Sequence, residues 1–133
     1  MRAITFTLAL FVACLSLGVL ASAQEGHPLK GSWAGDWGST AGQRSPFLIV
    51  MDWDGHITGT INPGTDNIAI KNGTLNPAGW VLRLEGEGKD KSGKTLNYVI
   101  EGKIENIAMY NRSIKGTWSN QTAKGDFKIT RQQ

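Results

Sequence analysis

The chain has 133 residues, with 14 Lys and Arg against 11 Asp and Glu, so it is long enough for one domain and nearly balanced in charge. This balance is atypical of proteins that bind nucleic acid or hold to membranes through a polybasic segment, and we expect no nucleic-acid partner. A single cysteine, Cys14, is present, so the sequence predicts neither an intrachain disulfide nor a cysteine-based metal site.

The first 23 residues have the composition of a signal peptide. Arg2 provides a positive start, an apolar run covers 3–20, and Ala21-Ser22-Ala23 matches an A-x-A cleavage site. Cleavage there would leave 110 residues with 13 basic and 11 acidic side chains. We therefore expect a secreted or periplasmic protein with no stable membrane insertion after processing.

Two other fates of this leader stay open. A lipoprotein anchored through Cys14 is less favoured, because Phe11-Val12-Ala13 is a poor match to the residues that usually precede a lipidated cysteine. A retained anchor is the second alternative, although the apolar run is only marginally long enough to span a bilayer.

The remaining chain is predicted to be all-β. Segments that alternate apolar and polar residues recur between turn sequences, and no helical apolar period extends over ten residues. Asp54-Gly55 between two apolar runs is the clearest hairpin signal, and 105–110 is compatible with a short turn of helix. The eight predicted strands are 31–37, 46–53, 56–61, 68–75, 79–87, 95–104, 112–119 and 124–131.

A recurrent pattern of apolar residues around a central glycine indicates how the strands are arranged. It occurs in 57–61, 100–104 and 114–118, and more weakly in 71–75. A glycine on the concave face lets a strand bend sharply at mid-length, as the strands of a small barrel must. Closure into a barrel would also leave no exposed edge strand. We therefore predict a single eight-stranded up-and-down barrel over 31–133, after an extension at 24–30; a sandwich with glycines at β-bulges is the alternative.

In such a meander the connections alternate between two ends of the barrel. The first end is predicted to hold Trp33, Trp53, Trp80, Ile104 and Arg131. The second end is predicted to hold Trp37, Phe47, Ile61, Tyr98, Trp118 and Phe127. Alternation places Arg131 on the core face, which requires a partner for its charge.

Gly31-Ser32-Trp33 on the first strand and an inward Arg131 on the last are similar to the calycin barrels, which include lipocalins, fatty-acid-binding proteins and avidins. In these barrels the Trp of G-x-W plugs one end and a basic residue of the last strand lies across it. The resemblance therefore implies that Trp33 and Arg131 form a structural plug, in which a guanidinium over an indole contributes about 0.5–2 kcal/mol.

The first three strands resemble avidins in particular. The segments 29–33, 38–39 and 55–61 match the avidin run of G-x-W, L-G-S and T-G-T-Y in order and spacing, apart from a short insertion. Avidins hold the ureido oxygen of biotin with an Asn, a Ser and a Tyr. Ser39 stands at the Ser position, whereas Gly35 and Ile61 stand at or near the other two, so two of the three contacts are absent.

No catalytic arrangement is evident. His56 with Asp52 and Asp54 could hold a metal, but a solvated turn accounts for them better. The carboxylates Glu85, Glu87, Glu101 and Glu105 could pair across strands, although alternation places the first three outside as a solvated charge ladder. No nucleophile–base pair or cofactor motif occurs, so we expect a protein that is not an enzyme and has no cofactor.

Aromatic residues at the second end define the predicted binding site. Barrel mouths are preferred places for ligand pockets, and the predicted ligand-binding residues are Trp37, Ser39, Phe47, Tyr98 and Trp118. The sequence thus predicts a non-enzymatic barrel that binds a small molecule or a carbohydrate at its open end. The alternative is a protein-interaction module, such as an extracellular protease inhibitor or an assembly component, and a homo-oligomer also stays open.

Overall fold

The computed structural model describes residues 27–39 and 42–132, and these residues form an all-β structure. The predicted leader, including Cys14, lies outside the described residues. Within the described part of the chain, no helix is long and apolar enough to cross a membrane.

The eight predicted strands are confirmed, each with ends within two residues of the prediction. The predicted turn of helix at 105–110 is absent; a turn closed by a hydrogen bond from Met109 N to Asn106 O (2.9 Å) takes its place. The strands are β1 Gly31–Gly38, β2 Ser45–Trp53, β3 Ile57–Ile61, β4 Ile68–Asn76, β5 Val81–Lys89, β6 Thr95–Glu105, β7 Ser113–Ser119 and β8 Lys124–Arg131.

Each strand pairs antiparallel with the next, and β1 pairs with β8 to close the barrel. At this seam Trp33 lies opposite Arg131 and Trp37 lies opposite Phe127. One further hydrogen bond, from Gln132 N to Ser32 O (2.8 Å), extends the pairing beyond β8. The meander barrel is therefore confirmed in preference to a two-layer sandwich.

Alternation along the strands places apolar side chains inside and charged ones outside. In β5, Leu82 and Leu84 are buried while Arg83 and Glu85 are exposed. Arg83 donates hydrogen bonds to Glu101 on β6 (2.6 Å) and to Glu85 (3.4 Å), so these carboxylates form an external ladder of charges.

One contiguous apolar cluster fills the barrel from end to end. Burying this much aliphatic and aromatic surface is the main favourable term in folding. Its sixteen buried members are Leu29, Trp33, Phe47, Ile49, Met51, Ile57, Ile61, Ile68, Ile70, Leu82, Leu84, Ile100, Ile104, Ile114, Phe127 and Ile129.

The mid-strand glycines of β6 and β7 make room for neighbouring atoms. Gly102 and Gly116 lie opposite each other on β6 and β7. A Cβ at Gly102 would be 2.9 Å from Ile114 Cγ2 and 3.0 Å from Phe127 Cζ. A Cβ at Gly116 would be only 1.9 Å from Glu101 O, so backbone rather than side chain occupies that space.

Candidate functional site at the second end of the barrel

Four of the five residues predicted to bind a ligand meet at the second end of the barrel. The ring of Trp37 lies 4.4 Å from Phe47, 5.0 Å from Trp118 and 6.1 Å from Tyr98, measured between centroids. Phe47 is buried and continues into the core through Phe127 at 5.3 Å. These rings pack on one another, and we call Trp37, Phe47, Tyr98 and Trp118 the aromatic cluster.

The indole of Trp118 carries a donor without a partner. Its Nε1 is buried and has no hydrogen-bond partner among the described residues. An unpaired buried N–H costs about 1–3 kcal/mol, so it marks a place where a ligand or water would be favoured. Trp33 at the first end differs, because its Nε1 donates to Leu29 O at 2.9 Å.

A groove of about 580 Å³ crosses the outer wall of β6, β7 and β8 beside this cluster. Trp118 and Ser39 are the only predicted site residues in its lining. Most of the remaining residues that line the groove are outward-facing residues of β6, β7 and β8. The full lining is Ser39, Val99, Glu101, Thr117, Trp118, Ser119, Lys124, Gly125 and Asp126.

Two carboxylates of the groove are already held by arginines. Glu101 accepts a hydrogen bond from Arg83, and Asp126 pairs with Arg44. Lys124 has no ion pair within the described ranges. Lys124 and the hydroxyls of Thr117 and Ser119 therefore offer donors and acceptors with few competing charges.

Arg44 fixes the rim of this end across the barrel seam. Its guanidinium donates to Asp36 Oδ1 on β1 (2.7 Å) and to Asp126 on β8. These hydrogen bonds, first that of Asp36 and then that of Asp126, raise the pKa of Arg44 above its ordinary value. The charge of Arg44 is thus permanent and ties the two strands that close the barrel.

Ser39 stands apart from the aromatic cluster. It is exposed just after β1, and its hydroxyl is 3.4 Å from Gln43 Oε1. Sequence reasoning missed Thr117, Ser119 and Lys124, which line the groove. The missing information was the curvature of the wall, which depends on the pairing of three strands.

The first end is closed by a different set of residues. Trp33 is fully buried, and Leu29 from the predicted extension covers it. The Arg131 guanidinium lies over the ring of Tyr110, with Cζ 4.6 Å from the centroid. Tyr110 is the aromatic partner of this inward arginine. Because Tyr110 lies in a turn, strand alternation could not assign its side chain to the inside or the outside of the barrel.

The sequence candidates for metal binding are dispersed. His56 Nδ1 lies 3.3 Å from Asp54 Oδ1, whereas Asp52 pairs with Lys30 at 3.8 Å. No group of three His, Cys, Asp or Glu suited to a metal ion occurs in the described part of the chain.

Comparison with protein-family models, with curated proteins and with solved structures gave no match. The closed eight-stranded barrel is compatible with a calycin-like fold.

Proposed function

We propose that this protein is an exported, non-enzymatic barrel that binds a small polyhydroxylated molecule, such as a sugar, at its second end. The site is the groove across β6, β7 and β8, and the aromatic cluster forms its inner support. The expected leader would deliver the domain to the periplasm or the exterior, where free carbohydrates are available.

The groove of about 580 Å³ beside Trp118 carries this proposal. Binding sites commonly combine apolar surface with a few placed polar groups, and sugars present both C–H faces and hydroxyls. Here Val99 and Trp118 provide apolar surface, while Thr117, Ser119 and Lys124 provide hydrogen-bonding groups. The filled interior supports an external site in preference to one inside the barrel.

The proposal is tested by thermal shift with a panel of mono- and oligosaccharides. We expect at least one sugar to raise the melting temperature of the wild-type chain. The double variant Thr117→Val with Ser119→Ala should lose that shift, because both hydroxyls leave the groove. Thr74→Val, an exposed threonine of β4 outside the groove, is the matched control and should retain it. No shift with any sugar, or an equal shift in both variants, would contradict the proposal.

The filled core also supports a second candidate, the protein-interaction module. A barrel whose axis is occupied by side chains can present its loops without enclosing a ligand. A stoichiometric protein recovered from the secreted fraction of the host, with no sugar-induced shift, would favour this function over sugar binding.

A further inference from the structure

Three lysines form a row across the outer wall of the barrel. Lys103 lies directly opposite Lys115 in the β6–β7 pairing, and Lys115 lies directly opposite Lys128 in the β7–β8 pairing. All three are exposed. Like charges in directly opposed positions destabilise a sheet, so folding alone does not account for this row.

Two of the three carboxylates beside the row are bound by arginines, and the third, Glu105, is two residues from Lys103 on the same exposed face. Asp36 lies opposite Lys128 on β1, but its carboxylate is bound by Arg44. Glu101, two residues from Lys103, is bound by Arg83. Within the residues described, none of the three lysines has an ion pair within 4 Å. The row therefore has a local excess of positive charge, although the chain as a whole is nearly neutral.

Large apolar side chains are exposed at the end of the barrel nearest this row. The turn between β6 and β7 exposes 52% of Met109 and 54% of Tyr110, and Val81 beside Lys103 is 47% exposed. Trp53, at the end of β2, is 42% exposed and stacks on His27 at 4.3 Å. Tryptophan and tyrosine are the residues that favour the interface between a bilayer and water.

The N-terminal part of the chain joins the barrel at this same end. Arg112 donates one hydrogen bond to Pro28 O (2.8 Å) and another to Met109 O (3.1 Å), which ties 27–30 to the exposed turn. The apolar run ends at Leu20, so 21–26 alone separate it from His27. At 3.3–3.6 Å per residue, that connection spans at most about 25 Å. In the retained-anchor alternative, a bilayer holding the apolar run would therefore lie close to the first end.

We propose that the first end of the barrel and the adjoining lysine row dock on an anionic lipid bilayer. Tyr110, Met109 and Trp53 enter the interfacial layer, and Lys103, Lys115 and Lys128 contact the anionic headgroups. Each lysine near such a surface strengthens binding about fivefold, and salt weakens it. This inference uses other residues than the sugar site, although the groove lies on the same three strands, where Glu101, Thr117 and Asp126 are each two residues from a lysine of the row.

Lysine footprinting of the full chain tests this inference directly. The chain is mixed with vesicles of phosphatidylcholine, or of phosphatidylcholine with phosphatidylglycerol, and is labelled with an amine-reactive ester before mass spectrometry. Lys103, Lys115 and Lys128 should lose labelling with the anionic vesicles but not with phosphatidylcholine alone, and high salt should restore their labelling. Lys71, Lys89 and Lys124 are exposed control lysines elsewhere on the wall and should be unaffected.

Brominated lipids provide a second measurement, because they quench tryptophan at the interface. Quenching should be largely lost in Trp53→Phe and retained in Leu48→Ser with Val50→Ser, which alters an exposed apolar pair on another wall. Equal labelling of all six lysines would overturn the inference, since the apolar run would then bind without orienting the barrel. Protection by soluble heparin but not by vesicles would also overturn it, in favour of a polyanion.

Discussion

Two indoles in this barrel, that of the fully buried Trp33 and that of the partly buried Trp118, differ in one hydrogen bond. The Trp33 N–H is bound to Leu29 O, whereas the Trp118 N–H is unpaired within the described structure. Replacing Trp33 by Phe leaves Leu29 O without its partner, but replacing Trp118 by Phe removes a donor that costs stability. The two substitutions delete the same atoms, and the fuller burial of Trp33 adds to the effect of its hydrogen bond.

We expect Trp33→Phe to lower the free energy of unfolding by at least about 1 kcal/mol more than Trp118→Phe. Urea denaturation monitored by far-UV circular dichroism measures both values. Equal losses would show that Trp118 Nε1 is satisfied in solution.

His27 makes the first end sensitive to acid. Partial burial lowers its pKa, and its Nδ1 accepts a hydrogen bond from Leu29 N (3.2 Å). The folded protein therefore binds fewer protons there than the unfolded chain, whose pKa is about 6.5. The stability from neutral His27 is complete above that pH and is lost as pH falls through the lowered pKa.

Melting temperatures measured between neutral and mildly acid pH test this effect. Wild type should lose stability on acidification, and His27→Gln should lose less over the same interval. His56→Gln, which changes the exposed histidine of the β2–β3 turn, should follow wild type. An acid response in His27→Gln as large as that of wild type would contradict the role of His27.

Within single strands, the glycine pattern predicted a closed barrel, which the structure confirms. What it could not predict is the identity of the neighbouring atoms. A Cβ at Gly102 would lie 2.9–3.1 Å from two side chains and the Lys115 carbonyl, whereas at Gly116 it would lie only 1.9 Å from the Glu101 carbonyl of the adjacent strand. That difference depends on the register of β6 against β7, which no local pattern specifies.

Gly102→Ala should therefore destabilise the fold by about 1–3 kcal/mol, the usual cost of overpacking, and Gly116→Ala by more. Gly42→Ala is the control, because a Cβ there would have no heavy atom within 4 Å. Denaturant midpoints of the three variants should follow this order. A neutral Gly116→Ala would show that β6 and β7 approach less closely than described.

Across the whole molecule, alternation and turn signals were sufficient to predict eight strands and their inside and outside faces. The aromatic cluster was also predicted, because Trp37, Tyr98 and Trp118 share one end in any meander. The groove and the lysine row were not predicted, since each is assembled from outward residues of three strands. Their recognition requires the pairing register of β6, β7 and β8, which the pattern within a single strand does not specify.

Closure of β1 on β8 is the claim on which the barrel depends, because it joins the two edges of the sheet and places Asp36 opposite Lys128 and Gly38 opposite Asp126. It is tested most directly by cross-linking Ala34→Cys to Thr130→Cys, which lie opposite each other at the seam, in a Cys14→Ser background. We predict a disulfide in nearly all molecules under mild oxidation. Ala34→Cys with Thr60→Cys, on strands that do not pair, should remain reduced. Failure of the seam pair to form in folded protein would contradict the closed barrel.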